Sequence, residues 1–413
     1  MKILAIHEQT VPLAAPMRNA SVAYDTMTAS ALAVVSDCMM NGEPVVGFAF
    51  DSIGRYGKGG LLRDRFIPRL LAASPGALLD SRGRIDPDAA VAALMENEKD
   101  GGHGERPGAV GLIDAALWDL RAKLEAKPLW RVLAERAGQR APGQTPTFDV
   151  YGSCGHFRPG RGTAELDGLA REVQAARAAG FSTIKIKLGG RNTEDDLART
   201  RVALAAGEGA RVAVDVNGKL DAAIESAWLR AMASLDVAWV EEPASPLDYL
   251  RLSKIAASTP VPLATGENLF SLDDARNLLR YGGLRPDRDL IQIDISLSYG
   301  VGEYLRIVSE FEAAGWPRAA FAPHAGHLFA AQAVAGLALG CHESASDLSL
   351  PFGGLWDGAA ITGGRAAACE APGVGFELKN SLYQWLKPLA ARDRGPVSVA
   401  SINAGAVGQR SVS

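Results

Sequence analysis

Cysteine is scarce and scattered in this 413-residue sequence: Cys38, Cys154, Cys341 and Cys369, with no C-x-x-C pair. Zinc needs four convergent ligands, and neither Cys154 with His156 nor Cys341 with His342 has the spacing, so the pattern argues against both a disulfide framework and a thiolate zinc site. Long apolar runs are missing as well. The opening run Met1 to Ile6 gives way to His7 and Glu8, too short for a signal-peptide core, and the stretch near Ala330 to Leu339 falls short of a membrane span. A cytoplasmic location without membrane contact is expected. There is no block of basic residues, the net charge is −4 and the pI about 5.9, which argues against nucleic acid as a partner. Glycine is plentiful, at 45 residues, yet no G-x-G-x-x-G follows a strand and no G-x-x-x-x-G-K-[ST] loop occurs, so nucleotide binding has no support. Gly189-Gly190 follows a strand, but two glycines merely turn the chain.

What remains is a chain of ordinary globular composition, 47% hydrophobic and 22% charged, too long for one small core. Strand-length apolar runs fill the first 50 residues. Asn41-Gly42 between Ala31 to Met39 and Pro44 to Phe50 signals a two-residue hairpin. The period then changes to three and four over Leu61 to Ala73, Asp88 to Lys99 and Pro107 to Ala126, which predicts helices. Residues 1–140 therefore read as an α+β unit. After the Pro/Gly stretch Ala141 to Pro146, β-rich runs alternate with amphipathic helical segments. The strand candidates are Thr147 to Tyr151, Ser182 to Leu188, Arg211 to Val216, Ala238 to Glu242, Val261 to Gly266, Leu290 to Ile295 and Arg318 to Pro323, with a partial eighth near Glu343 to Leu348. Regular βα units over residues 141–370 predict an α/β fold with a parallel barrel, although periodicity also permits an open doubly wound sheet. Residues 371–413 read as a C-terminal segment ending in a loose tail from about Arg392.

Barrel chemistry gathers at the C-terminal ends of strands, and the residues there are orderly. Asp215 ends the third strand, Glu241 the fourth and Glu267 the fifth, each 26 residues from the next. Three hard oxygen ligands on one rim predict a Mg²⁺ site; singly, each acid would more simply cap a helix or pair with a lysine. On the second strand Lys185 and Lys187 share a face, since side chains alternate with period two. Mutual repulsion and a nearby cation would lower their pKa values and leave one neutral as a base; the alternative is structural ion pairing with the carboxylates. His324 ends the seventh strand and Asp294 lies on the sixth, an arrangement that can orient the imidazole.

With these residues the sequence resembles the mandelate racemase branch of the enolase superfamily over nearly its whole length. The stretches 97–106, 266–270 and 273–283, with Leu297-Ser298-Tyr299-Gly300 and Pro323-His324-Ala325-Gly326-His327, are similar to the D-tartrate dehydratases of that branch. The resemblance implies a modified (β/α)7β TIM barrel under an N-terminal α+β capping domain, with the C-terminal segment packing back on the cap, and a homo-oligomer. It implies that Lys187 removes the proton α to the substrate carboxylate beside Lys185, that Mg²⁺ sits on Asp215, Glu241 and Glu267, and that His324, oriented by Asp294, protonates the departing β-hydroxyl. The substrate would be a hydroxy-diacid, with tartrate giving oxaloacetate. Lys99, Arg18, Asn19, Tyr56 in the loop Gly54 to Gly57, and Glu343 are the implied substrate contacts. Ile53, Cys154, His156 and Arg158 depart from the pattern, and bear on how the distal part of the substrate is read. A dehydratase or epimerase acting on another aldarate or aldonate fits the same acid/base pair, and a non-catalytic acid-sugar binding protein is the alternative from another class.

Overall fold

The computed structural model describes residues 1–13, 15, 17–99, 105–139, 143–157, 163–345 and 353–391. Asp100 to Gly104, Arg158, the end of the expected eighth strand and the tail from Arg392 lie outside the described residues.

The N-terminal strands β1 (Ile3–Pro12), β2 (Thr28–Met40) and β3 (Glu43–Phe50) form an antiparallel sheet in that order. Asn41 and Gly42 join β2 to β3 with φ of 53° and 82°, the left-handed pair whose twist matches the flanking strands. The helix Arg106–Leu124 lies on this sheet so closely that a Cβ on Gly47 would stand 2.1 Å from the Ala116 carbonyl oxygen. Asp119 of that helix accepts from the Phe48 amide at 2.8 Å and from the Val374 amide at 2.6 Å, tying sheet, helix and C-terminal segment together. The helix Asn380–Ala390 returns to the sheet, with Tyr383 edge-on to Phe48 at 5.9 Å. Two helix expectations are corrected. The run expected from Leu61 starts at Gly59 and contains a π-helical turn at Leu62–Phe66. The helix expected to reach Lys99 spans Pro87–Leu94, capped at its start by the Asp86 carboxylate, and Asn97 beyond it has φ of 59°, which ends helical continuation.

The barrel strands are β4 (Thr147–Cys154), β5 (Thr183–Lys187), β6 (Arg211–Asp215), β7 (Val240–Glu241), β8 (Leu263–Thr265), β9 (Leu290–Ile291) and β10 (Cys341–Ala345). They pair in parallel from β4 to β9 in chain order, and β10 pairs in parallel with β4. Beyond Thr183 and Arg211 at their starts, β5, β6 and β8 are buried on both faces, and Val212 to Val214 and Leu263 to Ala264 accordingly read as continuous apolar runs. The seventh position is a correction: Arg318–Ala320 is a short 3-10 turn, and only Phe321 bridges to Ile291. Pro317 and Pro323 flank it and lack the N–H a longer ladder needs. Closure still follows, because the Ala322 amide donates to Ile291 and the Gly340 amide, just before β10, donates to Phe321. Helices separate the consecutive strand positions, giving the (β/α)7β order. Inside the barrel Tyr151, Trp239 and the alanines 213, 238, 264 and 322 form a separate apolar cluster, the floor beneath the strand ends. Among the described residues no helix is long and apolar enough to cross a membrane.

Candidate active site

Strand register sets the first half of the site. Lys187 on β5 stands opposite Asp215 on β6, and Asp215 opposite Glu241 on β7, so three ionisable side chains lie side by side at the pleated-sheet spacing of about 5 Å. Glu267 joins them from just past β8, where Gly266 turns the chain with φ of 126° and a Cβ would meet Gln292 and Ile293 of the next strand at 3.1 Å. The carboxylates of Asp215, Glu241 and Glu267 are buried and offer oxygen atoms within 4.8 Å of one another. Hard oxygen donors in this number and closeness fit a Mg²⁺ ion that keeps some positions for water or substrate.

Electrostatics support that fit. Lys187 Nζ pairs with Asp215, and Lys185 Nζ lies 2.5 Å from Glu241 and 2.9 Å from Glu343. Burial works against the charged form of both lysines, but the facing carboxylates outweigh it and hold both pKa values above the ordinary lysine value. The expectation of a neutral lysine is thus not met while Asp215 is its partner. Burial likewise opposes the charged forms of Asp215 and Glu343, and the lysines overcome it to lower both. Glu241 behaves differently. Burial, reinforced by the repulsion of Asp215 and Glu343, pushes it up to about 7 although Lys185 pulls the other way. Too much negative charge for the available ammonium groups is what a cation site looks like before the cation is counted.

The second half hangs on Asp294, which follows β9. Its Oδ1 accepts from the Ser296 amide at 2.7 Å and lies 3.2 Å from His327 Nε2; its Oδ2 accepts from Ser52 Oγ at 2.6 Å and lies 3.4 Å from His324 Nδ1. His327 Nδ1 accepts from the Ala330 amide at 3.1 Å, so its proton sits on Nε2 and points at Asp294. Burial disfavours the charged carboxylate, yet the two imidazoles and their hydrogen bonds hold Asp294 well below the ordinary range. An anion that can only accept fixes His324 with its proton on Nδ1 and turns Nε2 toward Glu267, 3.3 Å away. Burial lowers the His324 pKa, but Glu267 and Asp294 win and raise it.

Lys187 and His324 both line a cavity of about 290 Å³, together with Glu267, Tyr24, Asn19 and Arg55. Glu343 is at the site through Lys185 and the Ala325 amide, which it accepts at 3.2 Å. Three expected contacts are not brought to the cavity. Arg18 is exposed between buried Met17 and Asn19, as alternation in an extended segment paired to Phe157 requires. Tyr56 is 52% exposed. Lys99 is exposed too, its backbone carbonyl held by Arg106 at 2.8 Å, next to Glu98, which Arg65, Arg69 and Arg106 pin. Ile53 packs on the apolar core, and His156 stands edge-on to Tyr24 at 5.7 Å. Burial, then the nearby Lys187, pulls the His156 pKa down to about 3, so that ring is neutral. The sequence reading missed Tyr24, Asn217, Glu242 and Ser52. Only Glu242 left a signal, as the second of two consecutive acids at a strand end.

Residues 168–382, just over half of the chain, match the family described as enolase C-terminal domain-like. The chain belongs to that family. Among the curated relatives, the 3,6-anhydro-α-L-galactonate cycloisomerase of Streptomyces coelicolor is 29% identical over 283 residues, covering 67% of this chain and 71% of that one. The arabinonate dehydratase of Saccharolobus solfataricus is 25% identical over 287 residues, with the same coverage of 67% and 71%. Among solved structures, the L-talarate dehydratase of a Polaromonas species, complexed with Mg and L-glucarate, superposes with a TM-score of 0.71 at 23% identity, over 92% of this chain and 95% of that one. The enolase-like fold read from the sequence is therefore the fold observed, and acid-sugar dehydratases stand among its relatives.

Proposed function

We propose that the protein is a Mg²⁺-dependent acid-sugar dehydratase acting on a hydroxy-diacid, with D-tartrate to oxaloacetate and water as the leading reaction. The observation that carries this is the joint lining of one cavity by Lys187, His324 and Glu267, a base, an acid and a metal carboxylate around one small space. Asp215, Glu241 and Glu267 would hold the cation. When bound, Mg²⁺ supplies electrostatic stabilisation for the negative charge that grows on the substrate carboxylate as the α-proton leaves.

The chain's own groups do the rest. With Asp215 engaged as a ligand, the largest influence holding Lys187 charged is drawn away, burial and repulsion from Lys185 work against the smaller pull of Tyr24 and Glu241, and Lys187 becomes the base that takes the α-proton. Hydroxide is a poor leaving group, so the β-hydroxyl needs a proton as its bond breaks. His324 Nε2 would give it, with Asp294 stabilising the charged imidazole through Nδ1. The enol product tautomerises to a 2-keto acid. The relatives favour a second reading, dehydration of a five- or six-carbon aldonate or aldarate, or isomerisation of such an acid by the same proton carriers.

Incubation of the purified protein with Mg²⁺ and a panel of acid sugars, with keto acid trapped by semicarbazide, tests this. Keto acid from D-tartrate is expected. Keto acid from a six-carbon diacid and none from D-tartrate would remove the tartrate assignment, and a change in optical rotation without keto acid would replace dehydration by epimerisation.

A further inference from the structure

Apart from His324, three basic side chains line the cavity: Lys187, Arg55 and Lys219. Two are already engaged. Lys187 is paired with Asp215. The Arg55 guanidinium donates to the carbonyls of Gly54 at 2.8 Å and Glu267 at 3.0 Å and to Asn268 Oδ1 at 2.5 Å, so it clasps the N-terminal loop to the barrel. Lys219, solvent-exposed yet part of the cavity lining, makes no ion pair and no side-chain hydrogen bond among the described residues.

Its backbone, by contrast, is firmly held. Asn217 and Gly218 are both left-handed, with φ of 45° and 71°, a conformation costly to a non-glycine residue and kept where surroundings impose it. Asn217 bonds the metal-site carboxylate of Asp215 at 2.8 Å through its amide and 3.1 Å through Nδ2. Its carbonyl accepts from Ser21 Oγ at 2.9 Å. The Gly218 amide donates to Glu242 and the Lys219 amide to Val216. A long, solvent-exposed cationic side chain thus starts from a rigid root four residues past a metal-site carboxylate, among lining residues that include the neutral polar Asn19, Ser21 and Ser245 and the acid Glu242. Neutral hydrogen-bonding groups suit hydroxyls, and an uncompensated ammonium suits a carboxylate.

We propose that Lys219 binds the distal carboxylate of a dicarboxylic acid sugar and is the residue that selects diacids over monocarboxylic aldonates. This rests on the dehydratase reading above. It gives the role expected of Lys99 to a lysine that reaches the cavity.

The test compares Lys219→Ala and Lys219→Arg with the unaltered enzyme on galactarate, a diacid, and galactonate, its monocarboxylic counterpart, with Mg²⁺ present. Losing one charge-assisted contact should lower the diacid-to-monoacid ratio of kcat/KM by about tenfold or more, mostly through KM, and Lys219→Arg should restore most of it. An equal loss on both acids, or an unchanged ratio, overturns the proposal. Calorimetric titration with glutarate and butyrate, neither of which can eliminate water, separates this from a failure of the dehydratase reading. Glutarate binding weakened about tenfold in Lys219→Ala supports the assignment even if no acid sugar turns over. Unchanged glutarate affinity, or no glutarate binding to the unaltered protein, overturns it.

Discussion

Individual residues carry the chemistry, and their roles can be separated. If Lys187 is the base and His324 the acid, Lys187→Ala should lose both keto-acid formation and exchange of the α-proton with deuterated solvent. His324→Asn should lose keto acid yet keep the exchange, since proton removal precedes loss of the hydroxyl. Each loss should be on the order of 10² to 10⁴ in kcat, and exchange surviving in Lys187→Ala would contradict the assignment. Asp114 makes a prediction of another kind. It is fully buried on the helix Arg106–Leu124, and its Oδ2 accepts from the Val301 amide at 2.8 Å while Oδ1 has no hydrogen-bond partner among the described residues. Burial outweighs that hydrogen bond and pushes its pKa up to about 8. The folded state therefore binds a proton that the unfolded chain, with an ordinary carboxyl near 3.9, has released. Stability from this group is complete below about pH 4 and is lost as pH rises toward 8. Asp114→Asn should flatten that decline in urea titrations between pH 4 and 8, and an unchanged slope would mean that Asp114 is already ionised in the fold. Nothing in the sequence marked Asp114, because its environment comes from the loop before Val301, far along the chain.

At the scale of elements, legibility follows how local the cause is. The Asn41-Gly42 turn was readable because a two-residue hairpin needs two left-handed residues and few sequences supply them. The metal-site acids were readable because each βα unit has a similar length, so equal spacing in sequence becomes one rim in space. The seventh strand position was over-read: Arg318 to Pro323 has strand-like composition, but its flanking prolines limit pairing to Phe321. Gly47 shows what pattern cannot display. Within β3 it looks like a weak strand residue, yet it is the point where the helix Arg106–Leu124 touches the sheet backbone. Gly47→Ala places a methyl against a backbone carbonyl that cannot rotate away, and should lower stability by about 3 kcal/mol, the upper range for overpacking. The midpoint of urea unfolding checks this, and a shift below about a tenth of that energy would show that the helix yields instead.

For the whole molecule, folding and cation binding should be linked. Asp215, Glu241, Glu267 and Glu343 are brought together only in the fold, with Lys185 and Lys187 as their cations. A Mg²⁺ ion that binds this state and not the unfolded chain should add about 2.7 kcal/mol of stability at a free concentration a hundred times its Kd. Calorimetric melting with Mg²⁺ and with EDTA measures it. The increment should vanish in Glu241→Gln, and an equal increment in that variant would place the stabilising ion elsewhere. The same long-range assembly completes the site: Ser52, Tyr24 and Arg55 come from the N-terminal third and reach Asp294, the cavity and Glu267 across the barrel mouth.

The sequence alone determined most of the order of elements and the register of the acids and lysines at successive strand ends, because each depends on spacing that repeats from one βα unit to the next. Only the tertiary structure decided which basic residue reaches the cavity. Lys99, Arg18 and Tyr56 are not among the residues that line it, while Arg55 and Lys219 are. The reason is physical: a side chain's direction at a loop is fixed by what its backbone bonds to in distant segments, and no periodicity in the sequence encodes that.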